Sequence, residues 1–175
     1  MDRAACLVPN KLWFGAAPYD QAGLQQLLDN GIDTFIDLTV EGEIYPDQRP
    51  VFNYSPLVAR YCRFPIDDKR VPTDMAVFHR LIGLISSIYN TRGTKIYIHC
   101  RGGHGRSALV AACFLVYQTS INSAEALTRV NSAHHNRETM KPKYRKIGAP
   151  QVRIQKDFVH QYHQLLDNLS RQYIQ

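Results

Sequence analysis

The chain has no apolar run long enough to cross a bilayer, no internal repeat, no low-complexity stretch and no linker-like segment that divides it. Its opening residues, MDRAACLVPNKLWF, lack the extended apolar region of a secretory signal. Cysteine is sparse, and the four present have no regular spacing, which argues against a disulfide scaffold. No His-Glu-x-x-His and no Cys-x-x-Cys occurs, so the common zinc signatures are missing. His134 and His135 are adjacent and would point apart on a helix. His160 and His163 can share a helix face but lack further ligands. Together these absences imply a reducing, intracellular compartment, where a thiol stays usable.

What is present is ordinary in bulk. With 175 residues, 45% hydrophobic and 21% charged, the chain suits one domain with a sizeable core and is short for two. The net charge is +6, and Arg137 to Lys146 (RETMKPKYRK) carries five of the basic residues against one acid. Such a segment is either a solvated loop or a face for anions such as lipid or RNA.

Periodicity gives the outline. Lys11–Phe14 reads as a strand ended by Gly15-Ala16-Ala17-Pro18. A helix follows with Leu24, Leu27 and Leu28 on one face, stopped at Asn30-Gly31. Ile32–Leu38 and Arg60–Phe64 read as strands, separated by an irregular excursion rich in Pro, Glu and Asp. Thr73 is the expected cap of a helix carrying Met75, Phe78, Leu81, Ile82, Ile85 and Ile88. Lys95–Ile98 is a short β-rich run. Beyond Gly105 the chain turns helical and almost wholly apolar through Val116, so that helix is buried on most sides. Ser123–Ala133 and Gln151–Tyr173 complete the set. Alternating strands and helices predict an α/β fold: a single domain, with a central, mostly parallel twisted sheet flanked by helices.

Between the buried strand and the buried helix lies His99-Cys100-Arg101-Gly102-Gly103-His104-Gly105-Arg106-Ser107. A helix N-terminus presents unpaired N–H groups and the positive end of the dipole, which suits phosphate. Gly102, Gly103 and Gly105 let the backbone curl close to an anion. Arg101 and His104 would flank the bound group, and Arg106 can fork onto two of its oxygens. Cys100 at the base would be favoured as thiolate by the same charges, and Ser107 can donate to its sulfur. His99 is read as ordering the loop, since a thiolate needs no base. At ordinary residue frequencies this full pattern arises by chance in about a few chains per million.

The motif resembles the signature of the cysteine-based protein tyrosine phosphatase superfamily, HCxxGxxR followed by Ser or Thr, and matches at His99, Cys100, Gly103, Arg106 and Ser107. The likeness runs over about 12–162. The resemblance implies a general acid on a mobile loop of the form Pro-x-x-Asp-x-x-x-Pro. That register fits Pro65, Asp68 and Pro72, with Asp67 as the alternative. It also implies a water-positioning glutamine: Gln151, Gln155 and Phe158 match the family's glutamine loop, with Val152 where Thr is usual, and Gln151 is the expected water holder. No counterpart of the Lys-Asn-x-Tyr loop of tyrosine-specific members is found, which favours the compact dual-specificity type.

The implied activity is hydrolysis of phosphate monoesters through a phosphocysteine, without metal or cofactor, on a phosphorylated protein. Basic residues at Arg101, His104 and 137–146 motivate a phosphoinositide or an RNA 5′-triphosphate as alternative substrate. A phosphate-binding module without turnover is the remaining alternative, although such proteins usually lose the Cys or the Arg. Cys62 or Cys113 is a candidate partner for an oxidised Cys100.

Overall fold

A computed structural model describes residues 1–172. Tyr173, which the helical periodicity includes, lies outside them. Five strands form one sheet in the order β1-β2-β5-β3-β4: β1 (Ala4–Val8), β2 (Leu12–Ala16), β5 (Ile96–Cys100), β3 (Thr34–Asp37) and β4 (Arg60–Arg63). The pairs β2–β5, β5–β3 and β3–β4 are parallel, and only the edge pair β1–β2 is antiparallel. The α/β architecture with a mostly parallel sheet is therefore observed.

Six helices complete the chain: α1 (Gln21–Asp29), α2 (Met75–Asn90), α3 (Arg106–Thr119), α4 (Ser123–His135), α5 (Pro142–Ile147) and α6 (Arg153–Gln172). No helix among the described residues is long and apolar enough to span a membrane. Side chains on β5 alternate between faces, as a strand requires. Ile96, Ile98 and Cys100 join the larger core with α2, α3 and α6, while Tyr97 joins Trp13, Phe35 and Tyr54 on the other face beside α1. This alternation sends Cys100 and His99 to opposite sides of the sheet. Helix α3 is buried from Arg106 to Val116, in keeping with its apolar sequence.

Four features differ from the sequence expectation. Strand β1 was not anticipated, because AACLV is short and gains its identity only by pairing with Leu12–Gly15 of β2. Asp74, not Thr73, caps α2, accepting from the Val77 amide at 2.9 Å. The strand expected at Lys95–Ile98 runs on to Cys100, so the glycine-rich loop begins directly at its end. Most consequential, the basic segment 137–146 is divided, with Lys141, Lys143 and Lys146 exposed and Arg137 folded inward. It contains the start of α5, and Arg137 is only 3% exposed.

Candidate active site

The loop 101–105 joins β5 to α3, and its shape follows from its glycines. Gly103 adopts φ +72°, and a Cβ there would lie 2.3 Å from the Gly15 carbonyl carbon of β2. At Gly105 a Cβ would meet Gln155 Oε1 at 2.8 Å. Helices α1, α2 and α4 each have a capping side chain (Asp20, Asp74 and Asn122), but α3 begins at Gly105 with none. Its first-turn amides are thus left to whatever the loop encloses.

Cys100 sits at the base of this cradle, 3% exposed. Its sulfur accepts from the Gly103 amide at 3.3 Å and lies 3.6 Å from Ser107 Oγ. Burial pushes the thiol up, but the Arg106 charge, the Ser107 amide and hydroxyl and the Gly103 amide outweigh it, so the net shift is downward. Cys6, Cys62 and Cys113 are all pushed upward by burial alone. One cysteine of the four therefore combines a lowered pKa with a phosphate-shaped loop.

Arg106 is 1% exposed and fully engaged. Glu43 accepts from both of its terminal nitrogens, at 2.8 and 2.5 Å, and the Ile66 carbonyl accepts at 2.9 Å. Burial disfavours the guanidinium charge, yet hydrogen bonds to Glu43 and the nearby Cys100 more than restore it. Asp68 lies over the same group: one carboxylate oxygen is 3.3 Å from Arg106 and the other 3.0 Å from Arg101. Asp67 is exposed and its carboxylate makes no such contact. Of the two adjacent acids, only Asp68 lines the cavity above Cys100.

His99 lies behind the loop, wholly buried, with Nε2 bonded to Tyr54 Oη. Its Nδ1 is 3.8 Å from Asp37, which in turn accepts from Tyr61 Oη and from the Thr39 amide and hydroxyl. Burial holds His99 below its ordinary pKa, and its Nε2 ties Tyr54 to strand β5. His104 projects the other way. It stacks on Tyr144 of α5 at 3.8 Å between ring centres, and its Nδ1 is 2.8 Å from His134 Nε2. Burial, then the Arg137 charge, lowers His104 to about 3 and His134 to about 4. Arg137 donates to the carbonyls of Gly103 at 3.1 Å and Gly102 at 3.4 Å.

Residues 1–149 match the family described as "Swiss Army Knife protein, DSP-PTPase phosphatase domain". The chain is 35% identical, over 143 residues, to putative tyrosine phosphatase 067L of Invertebrate iridescent virus 3, covering 80% of this chain and 57% of that protein. The chain thus spans about half the length of the viral relatives it matches. Among solved structures it resembles the kinase associated phosphatase carrying a serine for its catalytic cysteine (TM-score 0.73, 24% identity, 94% of each chain). It also resembles Tk-PTP in the active form (TM-score 0.71, 21% identity, 93% of this chain and 97% of that one). The chain belongs to the cysteine-based protein tyrosine phosphatase superfamily, in its dual-specificity branch.

In this phosphatase domain the 99–107 loop and the 65–72 segment meet at one cavity, as the sequence reading expects, but four supports were missed. Glu43 hid in the irregular excursion, where no period singles out a residue. Tyr54 lay in the same stretch. His134 and Arg137 were given no role at the loop, although from the end of α4 and just beyond it they contact His104, Gly102 and Gly103. The two glutamines also part company. Gln151, the expected water holder, is half-buried at the cavity wall without a hydrogen bond of its own. Gln155 is fully buried against Gly105, donates to the Arg70 carbonyl at 3.1 Å, and keeps an unpartnered Oε1. His160 bonds Ser123 Oγ and His163 faces Asp167, so these two histidines do not share a site.

Proposed function

We propose that the chain hydrolyses phosphate monoesters through a phosphocysteine on Cys100, as a dual-specificity-type phosphatase. The observation that carries this reading is the buried Cys100 sulfur, 3.3 Å from the Gly103 amide and electrostatically lowered by Arg106, at the foot of an uncapped helix. The Cys100 thiolate attacks phosphorus as the bond to the leaving oxygen breaks. Arg106 and the loop amides hold the three remaining phosphoryl oxygens. The incoming phosphate competes with Asp68 for Arg106, and Asp68, released and protonated from solvent, delivers that proton to the leaving oxygen. Water then attacks phosphorus, the S–P bond breaks, and Asp68 takes the water's proton while Ser107 donates to the departing sulfur. Gln155, with its free carbonyl oxygen beside Gly105, is better placed than Gln151 to accept a hydrogen bond from that water. His99, Arg101, Gly102 and His104 shape the loop and its rim. The chemistry calls for no metal or cofactor, and the substrate class it fits most generally is a phosphorylated protein.

The test is turnover of an aryl phosphate in the presence of a chelator. Cys100→Ser should be inactive. Asp68→Ala should lose about 100-fold or more in kcat while retaining substrate binding, and Asp67→Ala should lose little. Undiminished turnover by Cys100→Ser would end the phosphocysteine reading.

A further inference from the structure

The cavity above Cys100 is larger than one phosphate requires. It has a volume of about 680 Å³, within the range of small-molecule sites. Its walls carry Arg3, Lys69, Arg137, Lys141 and Lys143 in addition to the loop arginines, against Asp68 as the one carboxylate residue. Arg101 and Arg106 are already paired, with Glu43 and Asp68. Arg3, Arg137, Lys141 and Lys143 form no ion pair with a carboxylate among the described residues. A buried guanidinium without a counter-charge is costly, so its persistence at a cavity wall points to an anion as partner.

Unpartnered polar atoms lie in the same wall. Tyr45 Oη and Arg137 Nε are both buried donors without a hydrogen-bond partner, on residues 6% and 3% exposed. Both residues line this cavity. Arg137 also holds the Gly102 and Gly103 carbonyls, and the Gly103 amide in turn faces the Cys100 sulfur. The α6 side of the same cavity instead offers an acceptor, Gln155 Oε1. Lys69 adds a cation from the 65–72 loop, but the buried unpartnered donors, and most of the unpaired cations, lie on the β1–α5 side.

We propose that Arg3, Tyr45 and Arg137 form a second anion subsite, so that the substrate is a compact polyol carrying another phosphate within one ring of the scissile one. This assignment rests on the phosphocysteine reading for the first phosphate. A polyol monoester has a poor alkoxide leaving group that needs a proton, which is what an acid at Asp68 supplies. The terminal phosphate of a polyphosphate chain departs from a diphosphate and needs it less. A doubly phosphorylated peptide advances about 3.3 Å per residue in extended form and would lay its second phosphate along the rim rather than against the buried Tyr45 and Arg137. Lys141 and Lys143, exposed at the mouth, attract such a polyanion before it seats.

The substrates to compare are an inositol monophosphate, inositol bisphosphates with neighbouring phosphates, the same bisphosphate headgroup on diacylglycerol in phosphatidylcholine vesicles, a doubly phosphorylated peptide and a 5′-triphosphorylated RNA. The bisphosphates should exceed the monophosphate in kcat/KM by about tenfold or more, the scale of one charge-assisted hydrogen-bond set. Soluble and vesicle arms then separate a free polyol phosphate from a lipid headgroup. Arg3→Ala and Tyr45→Phe should each lower the bisphosphate-to-monophosphate ratio by about tenfold. Arg137 braces the loop, so its variant is not relied on. Binding to Cys100→Ser, read by calorimetry, should favour bisphosphate over monophosphate and over inorganic phosphate. Equal treatment of mono- and bisphosphate by an enzyme active on aryl phosphate overturns the subsite and leaves the hydrolase reading standing. Absence of any phosphate-monoester turnover overturns the hydrolase reading, and the calorimetric comparison still decides the subsite. Preference for the RNA or the peptide over the bisphosphates also overturns it.

Discussion

At the scale of single residues, the site depends on how two charges are kept apart from water. Arg106 and Glu43 side chains are 2% and 5% exposed and meet through two hydrogen bonds. Two desolvated ions of this kind gain little over an apolar pair, but removing one partner strands the other. Glu43→Ala should therefore destabilise the fold by about 3 kcal/mol, measured by urea unfolding. A phosphate bound in the loop would return a counter-charge to Arg106. Saturating inorganic phosphate should thus raise the midpoint of the variant more than that of the parent. An equal shift in both would show that Glu43 does not serve as the resting counter-ion. The contrast with Cys100 is instructive: burial acts on both groups, yet only Cys100 needed the loop to be legible. Its neighbours lie within seven residues in sequence, whereas Glu43 reaches Arg106 across 63 positions. No periodicity or spacing in the Pro-rich excursion distinguishes Glu43 from Glu41.

At the scale of elements, the 101–105 loop is a junction gripped from three sides: by β2 through Gly15, by the end of α4 through His134 and Arg137, and by α6 through Gln155. Strands β2 to β5 and helices α1 to α4 were readable because burial on one or both faces imposes a period on the sequence. The grip was not readable, because it is made of contacts between elements. A basic decapeptide looks solvated until Arg137 is seen folded under Gly102 and Gly103. The β2 contact yields a sharp expectation. Gly103→Ala would put a Cβ 2.3–2.4 Å from backbone atoms of Gly15 and Ala16 at φ +72°, with no flexible side chain to give way. It should cost about 2 kcal/mol or more in stability and at least 100-fold in aryl phosphate turnover. Gly102→Ala meets the His104 ring, at 3.2 Å, and should keep the fold. The α4 contact yields a pH effect. Burial and the Arg137 charge lower His134 to about 4, against 6.5 for the free side chain. Between those values the unfolded chain binds a proton that the folded one refuses. Stability is therefore complete above about pH 6.5 and falls on acidification, by about 3 kcal/mol near pH 4. In His134→Gln the difference in unfolding free energy between pH 7 and pH 4.5 should shrink accordingly.

At the scale of the whole molecule, a net charge of +6 and a cavity mouth rich in unpaired cations give the protein a directed field. The paired arginines contribute little to it at a distance, since Glu43 and Asp68 neutralise them locally. Arg3, Lys141 and Lys143 remain to draw a phosphate toward the mouth. Such steering acts on encounter, so it should appear in KM and kcat/KM rather than in kcat. Screening shortens the reach of these charges from about 10 Å at 0.1 M salt to about 3 Å at 1 M. Raising sodium chloride across that range should lower kcat/KM for an aryl phosphate severalfold, with kcat nearly constant. The buried Arg106–Glu43 pair is shielded from solvent ions and keeps the chemical step intact. In Lys141→Ala/Lys143→Ala, kcat/KM should start lower and its salt dependence should flatten. If both proteins showed the same slope, the field would come from the global charge rather than from this rim. Because each additional phosphate adds charge on which the rim can act, the salt slope should also steepen from mono- to bisphosphorylated substrates.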